Sequence, residues 1–173
     1  HIIKEKNKIL MLGNLIQSKE FTETNAKIPL IIGKDFNGKI VIEDLAELPH
    51  LLVAGTTGTG KSNLLSTFIV DIIYKLKPTE EKLVLIDTRK TNLTRFDSLP
   101  HLFIPIITDT QIAIAALSFL LQEMNNRYKL FEEKQVDNID SYNIIATEKL
   151  PRITVMIEDF YDLMMDTENE IEI

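Results

Sequence analysis

A chain of 173 residues with 45% hydrophobic and 26% charged side chains can bury an ordinary globular core, as one domain or as part of a larger one. It has no cysteine, which excludes disulfides and thiolate metal sites and suits a reducing compartment. A net charge of −7 with no Lys/Arg cluster argues against a stand-alone nucleic-acid binder, and the longest nearly apolar stretch, Ile112 to Leu121, is too short to span a bilayer. With no signal peptide visible, the segment is expected to work in the cytoplasm. Its first residue is His1 rather than Met, and it stops shortly after a motif described below. It is therefore expected to be a piece of a longer protein, cut at both ends, with any membrane anchor in a region outside it.

In chain order, Ile2-Ile3 predicts a short strand and the apolar residues from Ile9 to Ile16 a short amphipathic helix ending near Lys19. Phe21 to Lys27 reads as a linker. Asn37-Gly38 lies between the apolar runs Ile28–Gly33 and Ile40–Leu45, which predicts a β-hairpin. Leu51-Leu52-Val53-Ala54 reads as a strand leading into a glycine loop. Positions 64, 65, 68, 69, 72, 73 and 76 are then apolar at helical spacing, with Pro78 and a polar run ending the helix. Lys82 to Asp87 is a buried-type strand closing on a carboxylate. Phe103 to Ile107 predicts another strand, Thr108 or Asp109 a cap for a long helix, and Ile139 to Thr147 a further helix. Ile153 to Ile157 is a last strand running into Glu158-Asp159. Strands alternating with helices predict an α/β fold with a mainly parallel sheet flanked by helices, ending after this strand.

The glycine loop is Gly55-Thr56-Thr57-Gly58-Thr59-Gly60-Lys61-Ser62, and it holds three of the chain's six glycines. Between a strand and a helix, this G-x-x-x-x-G-K-S pattern is a phosphate-binding P-loop. Glycines let consecutive N–H groups turn inward around an anion, and the helix start adds partial positive charge. Lys61 would reach the β- and γ-phosphates and the Ser62 hydroxyl would ligate Mg²⁺, with Thr67 further along the helix in the candidate nucleotide site. A glycine turn with no ligand is the plainer reading, and the correct elements on both sides weigh against it.

Such a site needs a carboxylate for the Mg²⁺ shell and usually a second to orient water. Glu158 and Asp159 supply them, with Glu158 read as the metal-side group and Asp159 as the water-orienting group. Lys61, Glu158 and Asp159 are thus the candidate catalytic residues. The usual order is Asp then Glu, and Asp159 is one methylene short for its role, so hydrolysis is expected to be slow unless the backbone moves closer. Two solvated carboxylates at a strand end are the bland alternative. Ligands of parallel sheets sit beyond the carboxyl ends of the strands, so the P-loop, Asp87 and Glu158-Asp159 are expected to converge on one edge.

Pro49-His50-Leu51-Leu52-Val53-Ala54 and the P-loop together closely resemble the FtsK/SpoIIIE family of DNA translocases. So do Pro29 to Asp35, Leu99-Pro100-His101-Leu102, Ile107-Thr108-Asp109, Glu123-Met124, Arg127-Tyr128-Lys129-Leu130, Ser141-Tyr142-Asn143 and Asp162-Leu163-Met164-Met165. The resemblance implies a RecA-like P-loop ATPase using ATP and Mg²⁺, built as a homo-hexameric ring around double-stranded DNA and moving it in chromosome segregation or DNA transfer. Residues 1–27 would be the tail of a preceding domain plus linker, and 28–173 the N-terminal part of the motor domain. Three stretches depart from the pattern that the resemblance implies. Asp87-Thr88-Arg89 stands for the usual Asp-Pro-Lys, Asn92 for a usual Glu, and Glu158-Asp159 for Asp-Glu. The alternatives are a related ring ATPase of conjugation or type VII protein secretion, and a degenerate subunit that holds ATP with little hydrolysis.

Of the remaining residues, Arg127 and Lys129 read as a solvated helix face with packed stems rather than as contacts to a neighbouring subunit or DNA. His50 and His101 read as structural, with no zinc spacing around them. Arg89 and Lys90 stand evenly between a contact to a phosphate or the subunit interface and a surface loop, and Met164-Met165 reads as core.

Overall fold

A computed structural model describes residues 10–48 and 50–165; the strand expected at Ile2-Ile3 lies outside them. The chain forms two compact units, His1–Leu76 and Lys77–Ile173.

The first unit opens with two short helices, α1 (Leu12–Ile16) and α2 (Lys19–Thr22), the second capped by Ser18 Oγ accepting from Phe21 N at 3.3 Å. The stretch read as a linker therefore begins with a core residue. Phe21 is fully buried and clusters with Leu15 and Ile31, with Leu12, Ile16, Ile40 and Ile42 packed around them. Strands β1 (Pro29–Lys34) and β2 (Ile40–Asp44) form the expected antiparallel hairpin. Asp35 Oδ1 accepts from Asn37 N and Lys39 N in its turn, and the register shifts between Ile31 and Gly33.

Helix α3 (Lys61–Lys75) buries Phe68, Ile69 and Ile72, as its apolar spacing requires. On the same face lies Asp71, fully buried, whose Oδ2 accepts from Ile31 N at 2.8 Å. That bond fastens α3 to β1 beside the register shift. Burial outweighs it and pushes the Asp71 carboxyl up to about 6. Lys75 Nζ donates to Thr22 O at 2.7 Å and sits 6.0 Å from the centre of the Phe21 ring, tying α3 to α2.

The strand expected at Leu51–Ala54 is not formed. These residues have no ladder partner among the described residues, and Leu52 is 80% exposed. An apolar run becomes a strand only when neighbouring strands supply both hydrogen bonds and cover.

The second unit is built on β3 (Glu81–Ile86) and β4 (Arg152–Ile157), paired parallel from Glu81 opposite Arg152 to Ile86 opposite Ile157. Parallel strands need a long crossover, supplied here by α4 (Thr110–Glu133) and α5 (Ile139–Ile145). Asp109, rather than Thr108, caps α4 by accepting from Ile112 N at 3.0 Å. The strand expected at Phe103 to Ile107 is reduced to two isolated parallel bridges to β3, at Leu102 and Ile107. Pro105, between them, has no N–H to extend a ladder. Val84, Ile86, Ile107, Ala113 and Ala116 make the core with Leu163 of α6 (Phe160–Met165). Leu163 rather than Met165 is the core anchor, for Met165 is 48% exposed. No helix among the described residues is long and apolar enough to cross a membrane.

Candidate active site

The glycine loop belongs to the first unit and closes on itself. Thr59 Oγ1 donates to Thr56 O at 2.7 Å, and Lys61 Nζ donates to Gly55 O at 2.8 Å and Thr56 O at 3.2 Å. Gly60 caps α3 with φ 98°, a left-handed conformation that strains any L side chain. At Gly55 the constraint is contact, since a Cβ there would meet Thr59 Oγ1 at 2.7 Å. No side chain caps the start of α3. The backbone N–H groups of Lys61, Ser62 and Asn63 therefore point out of the first turn without intrahelical acceptors, at the positive end of a 15-residue helix. Oriented amides, a helix dipole and an ammonium fit a phosphate chain. Thr67 lies further into α3, where its hydroxyl donates to Asn63 O at 3.0 Å. His50, just upstream, is exposed.

In the second unit, β3 and β4 end in register, which brings Asp87 and Glu158 side by side as expected of carboxylates at parallel strand ends. Their environments differ. Asp87 Oδ1 accepts from Thr91 N (3.1 Å) and Thr91 Oγ1 (3.3 Å), and Oδ2 from Asn92 N (3.0 Å) and Leu93 N (2.9 Å). Burial pushes its pKa up, but the N–H groups of Leu93, Thr91 and Asn92 and the Thr91 hydroxyl outweigh it and hold the pKa below the usual aspartate value. Asp87 is thus the clamp of the 88–93 turn, its acceptor capacity spent on the chain's own donors.

Glu158 is buried, accepts from Asn92 Nδ2 at 2.8 Å through Oε1, and keeps Oε2 buried without a hydrogen-bond partner among the described residues. A buried carboxylate oxygen left in that state suits a hydrated cation. Asn92 and Glu158 are therefore bonded to each other, a short side chain meeting a long one. Sequence reasoning noted both and missed the contact, because they lie 66 residues apart.

Asp159 turns away from strand geometry, with φ 53°. Its carboxylate lies 3.9 Å from Arg89 Nε, which pairs more closely with Asp162 at 2.5 Å. Arg89 is thus an exposed loop residue paired with the acidic turn after β4. Arg127 has a structural role: it pairs with Glu123 at 2.7 Å and donates to Pro151 O at 2.6 Å. His101 is buried beside β3, where its carbonyl accepts from Leu83 N. No His/Cys/Asp/Glu cluster able to hold a metal unaided occurs among the described residues.

The model of the FtsK/SpoIIIE family matches residues 11–173. A DNA translocase FtsK of Clostridium acetobutylicum is 40% identical over 168 residues, 94% of this chain and 22% of that protein. The DNA translocase SftA of Bacillus subtilis is 38% identical over 171 residues, 96% of this chain and 18% of its own length. The chain thus spans about a fifth of these relatives. Among solved structures, the cytoplasmic domain of the Thermomonospora curvata type VII secretion ATPase EccC superposes with a TM-score of 0.73 at 21% identity, covering 95% of this chain and 21% of that one. The pCW3 conjugation coupling protein TcpA, in its monomer form with ATPγS, gives 0.66 at 24% identity, covering 90% of this chain and 42% of that one. Both likenesses show the shared RecA-like P-loop fold.

Proposed function

The chain belongs to the FtsK/SpoIIIE family, and on that premise we propose that it is the ATP-binding part of a motor that couples ATP hydrolysis to movement of double-stranded DNA. The observation that carries this reading is about 40% identity to DNA translocases over nearly the whole chain, with the P-loop intact. Likeness to the secretion and conjugation ATPases is confined to fold.

The proposed roles follow from the chemistry of each group. The N–H groups at the start of α3, with residues 55–60, hold the phosphates, and Lys61 stabilises charge gathering on the transferred phosphoryl group. Ser62 and Glu158 are the residues that would hold Mg²⁺, which neutralises phosphate charge when bound. Asp159 orients the water that attacks the γ-phosphorus, as the bond to the bridging oxygen breaks and ADP departs. In the working protein this segment is one part of a homo-hexameric ring, with residues 28–173 the start of its motor domain and any membrane tether elsewhere. A ring reconciles DNA binding with the −7 charge, because only the residues lining its pore meet the duplex.

ATPase activity of the full-length protein is expected to rise on adding duplex DNA at low salt, and to lose that stimulation as salt increases. A full-length protein that hydrolyses ATP equally with and without DNA at low salt would count against DNA as the cargo.

One observation favours the second reading, a subunit that holds ATP with little turnover: Asp159 sits in the left-handed region beside Arg89. The paired exchange Glu158→Asp with Asp159→Glu decides between them. On the motor reading, wild type already turns over at least as fast as the exchanged protein. A large gain in the exchanged protein would establish the degenerate subunit.

A further inference from the structure

We propose that Asn92 is a positioning residue for Glu158, holding one carboxylate oxygen so that the other is presented to the Mg²⁺ shell; this rests on the reading of Glu158 as the metal-side group. The turn that carries Asn92 is fixed before its side chain is considered. Asp87, 1% exposed, accepts the N–H groups of Thr91, Asn92 and Leu93, so the backbone on both sides of Asn92 is pinned to the end of β3. Glu158 is fixed from its own side, its N–H donating to Ile86 O at 2.9 Å as the parallel ladder runs past the end of β4.

Between these two anchored backbones the side chains meet at 2.8 Å. An ionised carboxylate only accepts, so the Asn92 amide must turn its NH₂ toward it. A single neutral donor satisfies Oε1 and adds no charge. An acidic residue at 92 would place a second negative charge against Glu158, and an apolar one would leave both buried oxygens unpaired. With Oε1 engaged, Glu158 loses rotamer freedom, and Oε2 remains as the oxygen able to accept from a cation's water. Partners of this outer kind typically change metal affinity by about 10- to 100-fold when removed.

The test separates Mg²⁺ dependence from nucleotide binding as such. Fluorescent ATP analogue binding would be titrated with Mg²⁺ and repeated in EDTA, in the full-length protein, with thermal unfolding as the check on folding. Asn92→Leu is expected to raise the Mg²⁺ concentration for half-maximal binding by about tenfold or more, with affinity in EDTA unchanged. Exchanging the lengths, by Asn92→Gln with Glu158→Asp, is expected to recover most of what Glu158→Asp alone loses; a merely structural asparagine would give no such rescue. Unaltered Mg²⁺ dependence in a folded Asn92→Leu protein, or the absence of rescue in the paired variant, would overturn the proposal. Wild type that binds no nucleotide, with or without Mg²⁺, would overturn the ATPase reading instead.

Discussion

In the full-length protein, replacing Lys61 by Met is expected to lower ATP hydrolysis by about a hundredfold or more and to leave the fold intact. The magnitude follows from removing one preorganised charge aimed at a developing anion, which typically costs about 10²- to 10³-fold. Met keeps the stem and loses the ammonium, so the loss is electrostatic rather than steric. Among the described residues, the ammonium donates only to the exposed carbonyls of Gly55 and Thr56. Water can take over those acceptors, so thermal stability changes by less than about 1 kcal/mol. Lys61→Arg should fail nearly as badly, because a planar fork is a poor substitute for a compact charge in a closed loop. Steady-state hydrolysis beside a melting curve checks both halves. A drop of less than about threefold, or an equal loss of folding, would show that Lys61 serves the loop and not a phosphate.

The loop was readable because every requirement is local: glycines where the chain must turn tightly, then Lys-Ser opening an apolar helix. The same holds for the Asn37-Gly38 hairpin, for α4 with its Asp109 cap, and for the two carboxylates at parallel strand ends. What escaped the sequence depends on partners distant in the chain. Leu51–Ala54 has strand composition, but a strand needs a neighbour, and none is present among the described residues. Phe21 looked like part of a polar linker, yet it fills a cluster with Leu15 and Ile31. Asp87 stands at the strand end where ligands of parallel sheets are expected, and only the fold shows its oxygens taken up by the turn that follows. The Asn92–Glu158 bond was hidden for the same reason, its partners lying 66 residues apart.

Glu81 carries the second large effect, which is on stability and falls in the neutral range. It is fully buried at the first position of β3, where burial pushes its pKa from 4.5 up to about 7. Thr154, Arg152 and Arg127 pull it down only in part. The two arginines are engaged elsewhere, Arg127 with Glu123 and the Pro151 carbonyl, Arg152 with Asp140. On its own side, Lys82 donates to Pro100 O and Glu80 accepts from Lys77 N, so neither compensates the charge. A raised folded-state pKa means the folded chain holds a proton that the unfolded chain has released. Its stabilising contribution is complete below pH 4.5, declines as pH rises, and is lost above about 7. The shift corresponds to about 3 kcal/mol across that window. Glu81→Gln removes the titration while keeping nearly the same volume. The variant should therefore match wild type at about pH 4 and exceed it by up to about 3 kcal/mol at about pH 8, read from urea unfolding midpoints. Asp71, pushed up to about 6, destabilises in the same direction but is common to both proteins and cancels in the comparison. Equal differences between variant and wild type at both pH values would mean that Glu81 stays ionised throughout, with Arg152 or Arg127 turned toward it instead.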